Sequence, residues 1–233
     1  MNLRPTASME TTLHRQLKER YATDGALVEQ RLGRFRIDVV QPHQLVEIQH
    51  APLSSIRDKI ATLLKKHRVL VVKPIIVRKH LVKLRRKGGR EVSRRRSPKQ
   101  GALLDVFEEL VHFTRVFPHR RLTLEVLLVE MEEWRYPGHG RRRWRRDNDH
   151  QVQDQRLLNV LGSHEFHTAA DLCRMLPPAL PKPFHTGHLA AGLGVERWVA
   201  QRMAYCLREM GAVQSVGKLR GAWLYETQAT KAA

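Results

Sequence analysis

The sequence predicts an α/β protein in which a sheet with helices is followed by a small α+β unit. In the first third of the chain, apolar residues follow helical and extended periods in the order helix, three strands, helix, strand. Residues 68–76 are a continuous apolar run, which is typical of a strand buried on both faces of a sheet. From about residue 154 the pattern changes to short helices followed by a hairpin.

The N-terminal elements follow from apolar spacing and from turn residues. Leu13, Leu17 and Tyr21 recur every four residues and share one helix face. Gly33 separates two extended runs and predicts a tight turn between them. The predicted elements are a helix over 9–22, strands over 26–31, 34–40 and 45–49, a helix over 53–67 and a strand over 68–76.

The remaining elements divide the chain into three segments. A basic hairpin over 76–99 turns near Gly88-Gly89 and is followed by a helix over 102–111 and a strand over 122–131. We predict helices near 154–161, 168–176, 187–192 and 195–210, then a hairpin over 212–225. The predicted units are 1–136, which holds the sheet and the basic hairpin, a basic linker or loop over 137–153, and the C-terminal unit over 154–233.

Charge is the strongest feature of the composition. The 233 residues include 42 Lys or Arg against 23 Asp or Glu, a net charge of +19, which favours a polyanionic partner such as DNA. The 42% hydrophobic content excludes a wholly disordered chain, and no run is long and apolar enough for a membrane helix. The N-terminus lacks an apolar signal core, and Cys173 and Cys206 suit reduced core thiols, so we expect a cytoplasmic protein.

The few acids suggest a metal site. A short hairpin would place Asp38, near the end of the second strand, beside Glu47 on the third strand. Two carboxylates on adjacent strands suit a hard cation such as Mg²⁺, which can activate water and neutralise charge on a phosphate. The simpler interpretation is that both acids pair with nearby arginines.

This arrangement resembles the PD-(D/E)XK nuclease superfamily over about residues 9–76. The family core runs αβββαβ, as in restriction endonucleases, with an acid on the second strand and (D/E)-x-K on the third. Asp38 and Glu47 match the two acids, and Glu10 matches a further glutamate on the first helix. Position 49 is Gln where the family has Lys, and Lys59 suits members whose lysine lies on the following helix.

The resemblance implies a metal-dependent endonuclease that hydrolyses phosphodiester bonds in DNA. Glu10, Asp38 and Glu47 would hold Mg²⁺ or Mn²⁺, while Gln49 and Lys59 would position water or phosphate. Many nucleases of this fold cut two strands as dimers, so the resemblance leaves a homodimer open.

The basic segments are the predicted nucleic-acid contacts. Residues 76–99 hold eleven Lys or Arg against one acid, Glu91, and a merely solvated surface normally intersperses both signs. Trp144, within an arginine run, would either stack on an unpaired base or pack back on the domain. The predicted contacts in these two segments are Lys83, Arg85, Arg86, Lys87, Arg94, Arg95, Arg96, Lys99, Arg141, Arg142, Arg143 and Trp144.

The C-terminal elements resemble a winged helix-turn-helix domain in their order. The helix over 195–210 would be the recognition helix, with Trp198 on its core side. The predicted DNA contacts here are Arg197, Gln201 and Arg208 on the helix and Lys218 and Arg220 on the wing. A winged helix used for protein contacts is the alternative.

Two other functions remain open at this point. One is a non-catalytic DNA-binding or regulatory protein that keeps a degenerate nuclease fold. The other is an RNA-binding or structural nucleoid protein, in which the hairpin and Trp144 matter more than the acids.

Overall fold

The computed structural model describes residues 10–138 and 149–228, and these form a mixed α/β fold. The helices are α1 (Thr12–Tyr21), α2 (Arg57–Leu63), α3 (Val106–Leu110), α4 (Ala169–Cys173), α5 (Thr186–Leu193) and α6 (Arg197–Glu209). The strands are β1 (Leu27–Leu32), β2 (Phe35–Val40), β3 (Leu45–Ile48), β4 (Val69–Leu84), β5 (Glu91–Arg96), β6 (Leu122–Pro137), β7 (His150–Phe166), β8 (Val213–Leu219) and β9 (Ala222–Thr227). Short 3-10 turns over Leu53–Ile56 and Leu103–Asp105 precede α2 and α3.

Within the described residues, seven strands form one sheet. The strand order is β1-β2-β3-β4-β6-β7, and β5 pairs with the far half of β4. Pairing is antiparallel from β1 to β3 and parallel from β3 through β4 to β6, and β7 returns antiparallel. The order helix, three strands, helix, strand is therefore present, as the sequence predicts, and Gly33 adopts a φ of 61° at the β1–β2 turn.

Each face of the sheet buries its own core. On one face, α1 packs Leu13 and Leu17 against Val46, Val72 and Val129. The opposite face buries Ile37, Val71 and Leu124 beneath α2 and α3. Residues of the C-terminal unit belong to this second core as well, including Leu189, Met203, Cys206 and Tyr225.

This shared core ties the C-terminal unit to the sheet. The Cys206 thiol lies 3.6 Å from the Phe107 carbonyl, and Arg202 pairs with Glu108 at 2.8 Å. The division of the chain at a basic linker over 137–153 stays a prediction. Residues 139–148 lie outside the described part of the chain, and residues 150–153 already belong to β7.

The helix predicted near 154–161 is wrong, because these residues belong to β7. Leu157, Leu158 and Leu161 have helical spacing, but the long antiparallel pairing with β6 overrides it. The strand also extends the large sheet to Phe166, so the C-terminal helices begin only at Ala169.

The C-terminal unit contains α5, a turn at Gly194, α6 and the β8–β9 hairpin. The predicted order of helices and hairpin from residue 168 onward is present, although α4 is short. Trp198, predicted on the core side of α6, is 45% exposed, so that prediction is wrong. No helix in residues 10–138 or 149–228 is long and apolar enough to cross a membrane.

Candidate functional site

Asp38 and Glu47 lie together on adjacent strands. In the β2–β3 register Val39 is opposite Val46, which brings Asp38 level with Glu47. The Asp38 Oδ2 accepts a hydrogen bond of 2.8 Å from the backbone N–H of Ile48. The two acids therefore lie at neighbouring positions of the β2–β3 hairpin, and their role as metal ligands stays a prediction.

Glu47 is a buried carboxylate with only one of its oxygens in a polar contact. Its Oε1 forms an ion pair with the Lys59 ammonium group, which also donates to the Arg36 carbonyl at 2.5 Å. Its Oε2 is buried without a hydrogen-bond partner among the described residues. Burial raises the pKa of Glu47 to about 7, with a further contribution from the charge of Asp38 that Lys59 partly offsets.

Helix α1 brings a histidine to the same place. The side chain of Thr11 caps the helix by accepting from the backbone N–H of His14. The His14 Nε2 lies 3.2 Å from the Asp38 Oδ1 and 3.7 Å from the Glu10 Oε1. Glu10 is therefore close to His14, and its carboxylate is also ion-paired to the buried Lys18 at 2.5 Å. Its role as a metal ligand stays a prediction.

Gln49 is engaged away from the two acids. Its side-chain amide donates to the Pro52 carbonyl at 3.1 Å and to the Ser55 hydroxyl at 2.7 Å, in the turn that leads to α2. The structure thus assigns contact with Glu47 to Lys59 and uses Gln49 to stabilise the adjacent turn.

A buried lysine that the sequence-based prediction missed holds the segment that follows β3. The Lys73 ammonium donates to the carbonyls of His50 and Ala51 at 3.1 and 2.9 Å, and pairs with Glu109 at 3.0 Å. Glu109 in turn accepts from the backbone N–H of Leu53 at 2.9 Å. Lysine in an apolar strand pattern gave the only sequence signal, since nothing local identifies its partner.

His50 and Ala51 form one wall of an open cleft, which Glu10, His14 and Asp38 also line. Burial lowers the pKa of His50, and the nearby positive charge of Lys73 lowers it further. The imidazole is therefore neutral near pH 7 and can accept a hydrogen bond or a proton.

Within residues 10–138 and 149–228, no three His, Cys, Asp or Glu side chains are grouped closely enough to hold a metal ion. The predicted trio of Glu10, Asp38 and Glu47 therefore does not form a ready coordination shell. The carboxylate pair still has the hard oxygen donors that Mg²⁺ and Mn²⁺ prefer, and the unpartnered Oε2 of Glu47 suits a cation.

The basic hairpin is exposed, and one of its predicted contact residues is paired with an acid. The predicted contacts Lys83, Arg85, Arg86, Lys87, Arg94, Arg95, Arg96 and Lys99 are all exposed. Arg94 forms an ion pair with the buried Glu132 of β6. For Lys83 and Arg95, no ion pair occurs within the described part of the chain, and both line a groove together with Arg135.

In the C-terminal unit, the predicted contacts divide into two groups. Arg197, Gln201, Lys218 and Arg220 are exposed, whereas Arg208 is half-buried and pairs with Glu209 at 2.7 Å. Arg141, Arg142, Arg143 and Trp144 lie outside the described residues.

Fold and site together define the class of this molecule as a mixed α/β protein. Its cleft contains carboxylates and lies where antiparallel strand pairing changes to parallel pairing. A basic hairpin and a basic C-terminal unit accompany the cleft. The chain belongs to the family described as a domain of unknown function, DUF8091, whose profile matches residues 11–167. That match begins beside α1 and ends at the close of β7, so it contains every residue that lines the cleft except Glu10.

One relative is an uncharacterized protein of Treponema pallidum (strain Nichols). It is 31% identical over 189 residues, which cover 80% of this chain and 74% of the relative. No solved structure matches this chain.

Proposed function

We propose that this protein is a DNA-binding, metal-dependent endonuclease, with Asp38, Glu47 and Lys59 at its catalytic centre. The observation that carries the proposal is the state of Glu47. This carboxylate is 6% exposed, lies beside a second carboxylate, and keeps one oxygen without a partner among the described residues. Burying such a group costs free energy, and a bound cation at Glu47 would offset that cost.

The sheet topology supports the same proposal. Helix α1, three antiparallel strands, α2 and a parallel fourth strand follow one another along the chain. This order resembles the core of PD-(D/E)XK nucleases. Lys59 on α2 reaches the second acid, as the migrated lysine of that superfamily would.

Asp38 and Glu47 would hold the metal, and Glu10 would join them after release from Lys18. A divalent cation bound there supplies a Lewis acid and lowers the pKa of water. Lys59 carries a fixed positive charge beside Glu47, where it can stabilise negative charge that develops on a phosphate. His14 orients Asp38, and the neutral His50, which lines the same cleft, can accept a proton.

The exposed cations supply contact with the DNA backbone. Lys83 and Arg95 on the hairpin, and Arg197, Lys218 and Arg220 on the C-terminal unit, are available for phosphate. Contacts of this type add affinity without sequence selection. The proposed enzyme would therefore select its substrate by the form of the DNA and not by its sequence.

The test is cleavage of plasmid, branched and single-stranded DNA with Mg²⁺ or Mn²⁺ by the full chain. Asp38→Asn, Glu47→Gln and Lys59→Met should each reduce the cleavage rate by about 100-fold or more, while DNA affinity stays within about threefold. Asp58→Asn is the matched control, because Asp58 precedes Lys59 on α2 but its side chain is 86% exposed. Cleavage that survives in Asp38→Asn and Glu47→Gln would overturn the metal site.

The second candidate is a non-catalytic DNA-binding protein on the same fold. One observation favours it: Asp38, Glu47 and Glu10 each already have a protein partner in His14, Lys59 and Lys18. Tight binding of all three DNA forms, with no cleavage of any of them, would support this candidate over the enzyme.

A further inference from the structure

A second groove lies in the C-terminal unit, between α6 and the β8–β9 hairpin. It is lined by Thr186, Arg197, Gln201, Trp223 and Tyr225, together with the Gly221-Ala222 turn. Among these lining residues none is acidic, and the hairpin adds Lys218 beside them. The lining therefore combines aromatic surface with positive charge.

Trp223 is the unusual member of the groove. Its side chain is 47% exposed, although an indole normally loses most of its surface to a core. Lys218 is opposite Trp223 in the hairpin register, and its ammonium lies 4.2 Å from the ring centroid. This cation–π contact holds the indole in place while much of its surface stays open to a ligand.

An unpaired nucleotide fits this chemistry better than an apolar peptide does. The indole offers a surface for a base to stack on, and every base has such a surface. The Arg197 guanidinium and the Gln201 amide can donate to base edges, and Lys218 can neutralise the phosphate. An apolar partner would leave Arg197 and Lys218 desolvated without opposite charge.

We propose that this groove binds an unpaired base of single-stranded nucleic acid, with Trp223 as the stacking platform. The inference rests on the DNA-binding part of the proposed function but not on cleavage. It names the substrate class of the C-terminal unit as DNA that carries a single-stranded portion, such as a tail or a gap. A fully paired duplex would contact the same unit through phosphates alone.

The test measures binding of the full chain in buffer with a chelator, so that cleavage plays no part. Fluorescein-labelled (dT)20, a blunt duplex and the same duplex with a (dT)10 tail are titrated by anisotropy. Trp223→Ala should weaken binding of (dT)20 and of the tailed duplex by about tenfold, and leave blunt duplex within about twofold. Trp223→Phe should keep most of the wild-type affinity, because a phenyl ring also stacks.

Trp198→Ala is the matched control. Trp198 is 45% exposed and has Arg202 over its ring at 4.6 Å, but that arginine is paired with Glu108. Its replacement should leave all three affinities unchanged. Equal losses for Trp223→Ala and Trp198→Ala, equal losses for blunt and tailed DNA, or no loss at all would each overturn the proposal.

The outcomes also separate this inference from the proposed enzyme. A protein that cuts no DNA yet shows the Trp223-dependent preference would keep the base-binding groove and lose the nuclease. One that cuts DNA without this preference would keep the nuclease and lose the groove.

Discussion

The cleft and the C-terminal groove handle charge in opposite ways. In and around the cleft, the cations Lys18, Lys59 and Lys73 are largely buried and committed to carboxylates or carbonyls of the protein. In the groove, Arg197 is exposed and Lys218 lies on an exposed indole. The first arrangement fixes side chains relative to one another, and the second leaves positive charge available to a ligand. The first arrangement is what the proposed catalysis in the cleft requires, and the second is what the proposed recognition in the groove requires.

The largest expected effect tests whether buried ion pairs hold the residues around the cleft in place. Lys73→Met removes a buried partner of Glu109 and frees the His50–Ala51 segment, so the free energy of unfolding should fall by about 3 kcal/mol. Chemical denaturation measures this change. Adding Glu109→Gln should restore part of the loss, since no uncompensated carboxylate then remains. If the protein is preorganised as described, cleavage should fall in Lys73→Met while (dT)20 binding persists.

The next effect concerns the pH dependence of stability. The folded pKa of Glu47 is raised to about 7 from its ordinary value of 4.5. The folded state therefore keeps a proton that the unfolded state loses, and this stability is present below about pH 4.5 and disappears as pH rises through about 7. In chelator-containing buffer, wild type should lose roughly 2 kcal/mol more than Glu47→Gln between pH 5 and 8. Parallel pH profiles for the two proteins would contradict the burial argument.

The smallest effect sharpens the comparison within the basic hairpin. Lys83→Ala combined with Arg95→Ala should reduce the slope of log affinity against log salt by about 2, because each lost phosphate contact removes about 0.9. Arg94→Ala is the control, since Arg94 is committed to Glu132. Affinity for duplex DNA measured over a range of salt concentrations tests both. Equal changes in slope would mean that the ion pair does not withhold Arg94 from DNA.

The sequence predicted the elements of the cleft well because they are local. Asp38 and Glu47 are joined by a short hairpin, so alternation along two strands is enough to bring them together. Lys59 also follows closely on the next helix. The ion pairs of Lys18 and Lys73 were not predicted, since Glu29 and Glu109 are identified only once the tertiary fold is known.

Longer-range features account for the errors. Strand β7 has leucines at helical spacing, and only its pairing with β6 makes it extended. Trp198 fitted an amphipathic pattern, but the core beneath α6 is already filled by Ala200, Met203 and Leu207. The fold of the C-terminal unit followed from local turns, whereas its docking onto Phe107 depended on contacts that no sequence window contains.

Strand β4 sets the distance between the cleft and the basic hairpin. Residues 69–72 of β4 pair with β3 beside the cleft and residues 80–84 pair with β5 in the basic hairpin, while β6 runs alongside nearly all of β4. From Val72 to Leu84 the strand spans at most roughly 40 Å, at about 3.3 Å per residue. One turn of duplex DNA spans about 34–36 Å. If the proposed DNA contacts are correct, a duplex laid along the strand would meet Asp38 and the hairpin tip with the same side of its helix, roughly one turn apart.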